Sequence, residues 1–366
     1  MATKEETRAA REARLNELHE QLTGAVEGLV TGDDWAQALS FAARFRSRSF
    51  NNTLLIWAQH QQAFGQGRVS SPYPTFVAGY RQWQALDRQV YKGQAGYMIY
   101  APVTARFAST NPSDPTSWRR LAPREKHKSN EVERSRMVGV KPAYVWDVSQ
   151  TDGEPIPEPP APRLLEGQAP EGLWEGLAAQ VKAAGFDLLH VPDASVIRGA
   201  NGVTDYLAKT VSVRSDMPDA ARVKTLAHEL AHALLHGPDN PDALGHRGVA
   251  EVEAESVALM VGAAHGMDTS GYTVPYVSGW AASVKDTSPV EVVKATGERV
   301  RKAAIGILDR LDTTKVGDGT PPGLSKTVRA DGPRRTATTS RKPPTPSVER
   351  EHIGAGDPAT VAGRRL

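Results

Sequence analysis

The stretch Thr225-Leu-Ala-His-Glu-Leu-Ala-His-Ala-Leu-Leu-His-Gly237 constrains this chain more than any other. It is a helix-forming run that contains His228-Glu229-x-x-His232. Residues four apart lie one turn apart on one helical face, so both imidazoles can reach a single metal ion. Glu229 follows the first of them and can stand beside a water that the ion acidifies, where it would act as the base. Leu226, Leu230, Ala233 and Leu234 form an apolar stripe, which predicts that the helix packs against a core. His and Glu at a packed surface are costly unless they have partners or a ligand. His236 extends the row by another turn, but lacks the Gly-containing spacing of a three-His site and reads as a helix-end histidine. The chemistry this motif points to is metal-dependent hydrolysis, with a peptide bond as the first candidate.

A catalytic zinc usually has three protein ligands and a water, so two histidines leave the site incomplete. The helical segment Val249 to Val261 supplies Glu251, Glu253 and Glu255. Glu251 and Glu255 share a face, and Glu253 points about 200° away from Glu251. Glu251 is the expected third ligand. Glu255, one turn on, would accept the second N–H of a metal-bound histidine and fix its tautomer. The reverse assignment of these two carboxylates stays open. Ahead of the motif, Val203 to Arg214 reads as two short strands around a turn. A strand beside such a helix can take an extended peptide as an added strand, although a plain hairpin fits the sequence equally well.

At 366 residues the chain is long enough for two domains, and it contains no cysteine, which excludes disulfides and thiolate metal sites. The first residues, Met1 to Arg8, are charged and carry no apolar core of a signal peptide. No apolar run approaches membrane-spanning length, so a cytoplasmic location without a membrane partner is expected. The net charge of +2 means that any basic surface must be local. Composition divides the chain into residues 10–150, a Pro-rich linker at 151–170, a metal-motif domain at 171–312 and a disordered basic tail at 313–366. The expected fold class is α+β, with two domains.

The first half predicts a helix from Ala36 to Arg48, a break and cap at Asn51-Asn52, and a second helix from Thr53 to Gln62. A turn entering a strand is expected over Val90 to Tyr100, with a matching strand at Ala143 to Val148. Between these strands, Thr104 to Val140 reads as a long basic loop. Aromatic and basic residues alternate through this half. Single-stranded nucleic acid is bound by such pairings, with bases stacked on rings and phosphates held by Arg and Lys. The same residues at strand and helix spacing equally fit an ordinary core. The expected DNA contacts are Trp57, Phe76, Trp83, Lys92 and Tyr97, with Arg46 and Arg48 on phosphate.

Four segments of the first half resemble the N-terminal domain of ArdC-type antirestriction proteins: Ser49 to Trp57, Pro74-Thr-Phe76, Val90 to Gly96 and Tyr144 to Gly153. His228-Glu229-x-x-His232 and Glu251-x-Glu253-Ala254 are similar to the zincin-like metallopeptidase domain of the same family and to the ImmA/IrrE peptidases. The resemblance implies a single-stranded DNA-binding domain joined to a domain holding one zinc ion, acting on an unidentified protein substrate and serving antirestriction for a plasmid or phage. In the ImmA/IrrE pattern the first Glu of the second motif is the steadier one, which favours Glu251. The loop at 104–140 and the tail after Asp312 depart from the family pattern, and Ala250-Glu251-Val252 stands where Glu-Glu-Leu is common. Two other readings remain: a protein that only coats single-stranded DNA beside a non-catalytic metal domain, and an ImmA-like regulatory peptidase that cleaves a repressor.

Overall fold

The computed structural model describes residues 4–156, 167–238, 247–270, 272, 274–275, 277–284 and 286–324. Three helices come first: α1 (Lys4–Glu27), α2 (Gly32–Arg44) and α3 (Phe50–Gly65). Thr31 and Asp34 cap α2 reciprocally, which starts that helix ahead of the expected Ala36. Ser49 caps α3 by accepting from the Asn52 N–H, so Asn51 and Asn52 lie within the first turn and do not break the helix. Asn52 uses its amide to clasp the backbone of Tyr100 in both directions.

An antiparallel sheet lies against these helices. It comprises β1 (Val77–Ala78), β3 (Tyr97–Ser109), β4 (Arg119–Arg120) and β5 (Val132–Asp147) in the order β1-β5-β3-β4. Between β1 and β3 come the short helix α4 (Tyr80–Gln84) and strand β2 (Gln89–Val90), which pairs with β6 (Thr151–Asp152). The stretch Thr104 to Val140, expected as a loop, is mostly a hairpin. β3 and β5 stay paired from Tyr97↔Val145 to Ser109↔Val132, with one irregularity at Val103/Thr104. Hydrophobic alternation could not reveal it, because nearly all of β5 from Val132 to Gly139 is exposed or half-exposed. The backbone ladder and ring–guanidinium contacts hold it instead.

The second half begins with α5 (Leu173–Ala183) and a three-stranded sheet. β7 (Asp187–Val191) runs parallel to β9 (Thr210–Arg214), and β8 (Gly202–Asp205) pairs antiparallel to β9 at the edge. Helices α6 (Asp219–Leu235), α7 (Arg247–Ala264), α8 (Val277–Ala281) and α9 (Pro289–Leu308) follow. The fold is mixed α+β, as the sequence implies.

One hydrophobic core runs across the Pro-rich segment. It joins Leu18, Trp35, Phe50 and Leu54 from the first helices to Leu177, Leu226, Val252 and Val300 from the second half. Trp35 is fully buried, donates its indole N–H to Ser256 Oγ at 2.8 Å and meets Trp280 edge-on at 5.5 Å. Gly297 lets α9 close onto Phe50, since a Cβ there would fall 2.3 Å from the ring. Burial of each such large side chain contributes roughly 1.5–3 kcal/mol, so α2 and α3 are part of what supports α7. Two smaller clusters fill the first half, one around Phe45, Ile56 and Tyr97 and one around Phe76 and Trp83.

The ends of the expected linker and tail are structured. The buried Arg88 guanidinium donates to the Thr151 hydroxyl and to the carbonyls of Thr151, Gly153 and Glu154. The rest of the linker, at 157–166, lies outside the described residues. Disorder beginning at 313 is corrected for residues 313–324. Val316 N–H donates to Ala264 O, Gly319 O accepts from Val77 N–H, and Leu324 packs on the Phe76/Trp83 cluster. These backbone bonds escape a reading based on side-chain hydropathy. Residues 325–366, with Arg334-Arg335, Arg341-Lys342 and Arg364-Arg365, lie outside the described residues. Among the described residues no helix is long and apolar enough to cross a membrane.

Candidate metal centre

α6 buries Leu226, Ala227, Leu230 and Ala231, which fixes its rotation and turns His228 and His232 toward α7. The two Nε2 atoms lie 3.0 Å apart. Glu251 Oε2 of α7 lies 3.6 Å from each of them. One ligand atom from each of His228, His232 and Glu251 therefore falls within 4.8 Å of the others, the spacing from which one cation can be held. Two imidazole nitrogens and a carboxylate suit zinc and other divalent transition ions, so the donor set fits.

The groups behind these atoms differ from one histidine to the other. His228 Nδ1 lies 3.2 Å from Glu255 Oε2, and Lys224 Nζ lies 2.8 Å from Glu255 Oε1. Between the carboxylates left open by the sequence, Glu251 thus stands at the Nε2 side and Glu255 at the Nδ1 side. Burial opposes charge on His228, but Glu251, Glu255 and then Glu229 outweigh it and raise its pKa to about 9. Hydrogen bonding to His228 and His232 holds Glu251 well below the usual carboxylate range. Burial works against ionised Glu255, yet His228 and Lys224 keep it below its ordinary value.

Glu229 is buried, and its Oε2 accepts from the Thr204 hydroxyl at 2.7 Å. Edge strand β8 reaches this close because Gly202 has no side chain. A Cβ there would lie 2.8 Å from Glu229 Cγ and 2.6 Å from Thr225 Cγ2. Tyr206, just after β8, donates its hydroxyl to His232 O at 2.9 Å. Burial, with Glu229 and Glu251 nearby, pushes its pKa up to about 12. Sequence reasoning missed Thr204, Tyr206 and Lys224. Only the Lys224/His228 pair carried a readable signal, its i,i+4 spacing on the motif helix.

The expected DNA contacts fare differently. Trp83 is wholly buried and donates its indole N–H to Trp146 O at 3.0 Å. Phe76 is buried in the same cluster. Tyr97 is buried with its hydroxyl 2.8 Å from His60 Nδ1, and burial raises its pKa. These three rings are core and are corrected as stacking surfaces. Arg46 donates to the carbonyls of Ala43, Val316 and Gly317, and Arg48 to Val77 O, so both guanidinia hold backbone where phosphate contact was expected. Trp57 is half-buried against Phe41, while Lys92 is exposed.

An exposed basic and aromatic surface lies on the β3–β5 hairpin. Residues opposed in the ladder share a face, so Phe107, Arg120 and Arg134 stand together. Arg136 and Trp118, two residues from Arg134 and Arg120, join that face. The Arg134 and Arg136 guanidinia sit 5.0 and 4.7 Å from the Trp118 ring centroid. The neighbouring arginines Arg106 and Arg119 are instead neutralised by Glu133 and by Glu125 and Glu131. Among the described residues, no carboxylate forms a salt bridge with Arg120, Arg134 or Arg136.

A helix bearing two histidines, faced by a helix bearing a carboxylate and joined through one core to an aromatic and basic first half, defines a protein with a candidate His-His-Glu metal site. Residues 10–146 match the model for the N-terminal domain of anti-restriction factor ArdC. Over 80% of its length it is 24% identical to an uncharacterized Bacillus anthracis protein, pXO2-81, and it spans about half of that relative's length (50%). Solved structures of the antirestriction ArdC protein from the R388 plasmid, one metal-free and one Mn(II)-bound, are 20% and 18% identical. Their TM-scores are 0.44 and 0.41, over 72% of this chain and 84% of theirs.

Proposed function

We propose that this protein binds single-stranded DNA and hydrolyses peptide bonds in proteins near it, at one zinc ion held by His228, His232 and Glu251. The observation that carries the hydrolytic half is the convergence of those three ligand atoms within 4.8 Å on two packed helices. Bound there, the ion would supply a Lewis acid that acidifies water and polarises a carbonyl. Glu229 is the base: it takes the proton of the attacking water and returns it to the leaving amine. Thr204 donates to Glu229 Oε2 and so orients that carboxylate. The edge of β8 offers an extended peptide a backbone ladder beside Glu229. Glu255 and Lys224 hold His228 from behind.

The DNA half is favoured by the unneutralised hairpin face. Arg134 and Arg136, preoriented on Trp118, and Arg120 would follow phosphates, with Lys92 and the half-buried Trp57 as further contacts. Antirestriction in the cytoplasm of a host carrying a plasmid or phage is the role this reading implies. Metal analysis of wild type and His232→Ala tests the site: stoichiometric zinc in the first and none in the second is expected. Proteolysis assayed with and without single-stranded DNA, using Glu229→Gln as control, tests the chemistry. Wild type that binds no divalent ion would sink the hydrolytic reading. A biological effect that survives Glu229→Gln would leave DNA coating as the function.

A further inference from the structure

His236 belongs to neither the ligand set nor the base, yet it joins a buried chain of polar groups that ends at the ligand point. His232 Nδ1, on the far side of the ring from Glu251, lies 2.9 Å from His236 Nδ1. His236 Nε2 lies 3.0 Å from Glu253 Oε2. Glu253 Oε1 in turn lies 2.6 Å from the Arg299 guanidinium of α9, which also donates to Thr296 Oγ1. The His236 and Glu253 side chains are only 6% and 7% exposed, whereas Arg299 is 50% exposed. The carboxylate that points away from the His-His-Glu cluster thus serves a histidine of its own.

We infer that His236, held by Glu253 and Arg299, is a positioning residue that fixes the tautomer of His232. Hydrogen-bond accounting gives the direction. Glu253, with Arg299 on its other oxygen, is an acceptor, so His236 Nε2 must carry a hydrogen. Neutral His236 then has its lone pair on Nδ1, and His232 Nδ1, 2.9 Å away, must donate to it. That leaves the His232 lone pair on Nε2, the atom that faces His228 and Glu251. The opposite order needs either the His236 Nε2 lone pair set against a buried carboxylate oxygen with no hydrogen between them or a second proton on His236, and in both cases His232 would carry its hydrogen on Nε2. His228 is set by Glu255 directly, while His232 is set through an imidazole relay that reaches the surface on α9. Outer partners of this kind commonly tune metal affinity by about 10–100-fold.

This inference rests on reading the His-His-Glu cluster as a metal site, and the test separates the two. Nitrogen NMR of histidine-labelled, metal-free protein at fixed pH reads the tautomer, and a chelator competition with Zn(II) alone reads affinity. The expected wild-type state is Nδ1–H at His232. In His236→Leu the tautomers should mix and zinc affinity should fall about 10–100-fold. In His236→Gln, whose amide oxygen can accept the same hydrogen, both should stay close to wild type. An Nε2–H form of His232 in the wild type would overturn the inference, and this requires no variant to fold. A leucine variant with unchanged tautomer and affinity would also overturn it. So would a glutamine variant that fails as badly as leucine while melting like wild type. If wild type binds no zinc, the metal reading fails, while the tautomer still decides the relay.

Discussion

At the candidate metal centre, Glu251, Glu253 and Glu255 each face a histidine at 3.0 to 3.6 Å, and all but Glu251 are largely out of water. On the β3–β5 hairpin, Arg134 and Arg136 face a ring and solvent. Both regions concentrate charge, but only the first makes each charge depend on its neighbour. A buried network loses more than one contact when a member is removed, because the partner left behind stays desolvated. An exposed cationic face is graded: each arginine adds a small, salt-screened increment. Buried sites should therefore give large, coupled effects and the hairpin small, additive ones.

The sharpest way to break this comparison uses a ring expected at the DNA surface and found in the core. Trp83→Ala should cost about 3–5 kcal/mol in denaturant unfolding, the range for truncating a buried aromatic. A loss under about 1 kcal/mol would return Trp83 to the surface.

His265 is next in size. It is fully buried, 2.7 Å from Val261 O and 2.7 Å from Thr313 Oγ1, and burial lowers its pKa to about 4. Its folded pKa lies below the ordinary 6.5, so between those values the unfolded chain binds more protons. Stability is then full above pH 6.5 and falls with acid by up to about 1.4 kcal/mol per pH unit, reaching its floor near pH 4. Melting curves across this window should be flatter for His265→Gln than for wild type. Equal slopes would show that His265 does not titrate there.

Zinc affinity should rise with pH. A metal must displace the proton that His228 holds with its pKa raised to about 9. Apparent affinity should therefore gain about tenfold per unit from pH 7 to 9 and then level, as read by competition titration. A flat profile would mean that His228 is neutral at pH 7.

The smallest effect belongs to the hairpin. Replacing Arg134 and Arg136 together by Ala should change stability by less than about 1 kcal/mol. The salt dependence of single-stranded DNA binding should lose about 0.7 of slope for each phosphate contact removed. Binding with an unchanged slope would move the interface elsewhere.

The helix that carries His228 and His232 was legible because its information is local. Once the His228 to His236 stretch is helical, the 3.6-residue repeat sets which side chains stand together. The apolar positions Leu226 and Leu230 then decide which face turns inward. The same repeat set Glu251 and Glu255 on one face and Glu253 on another, although it could not say which of the first two would stand at the Nε2 atoms and which at His228 Nδ1. Glu253 reads as the odd carboxylate of its helix until His236 and Arg299, from two other elements, are seen beside it. In the first half, ring and charge composition was visible but exposure was not. Trp83, Phe76 and Tyr97 have the side chains of a stacking surface and the positions of a core. The hairpin was missed for the complementary reason: its strands bury too little for alternation to mark them.

The sequence by itself determined the helical spacing of His228, Glu229 and His232, the α+β class and the likeness of residues 10–146 to the ArdC N-terminal domain, because these follow from side-chain identity at short spacing. Only the tertiary structure decided which aromatics remain at the surface, that one core joins both halves, and that residues 313–324 are pinned to Arg46, Val77 and Ala264. Those outcomes depend on contacts between residues far apart in the chain, such as Trp35 with Ser256 and Arg46 with Val316, and no local pattern encodes them.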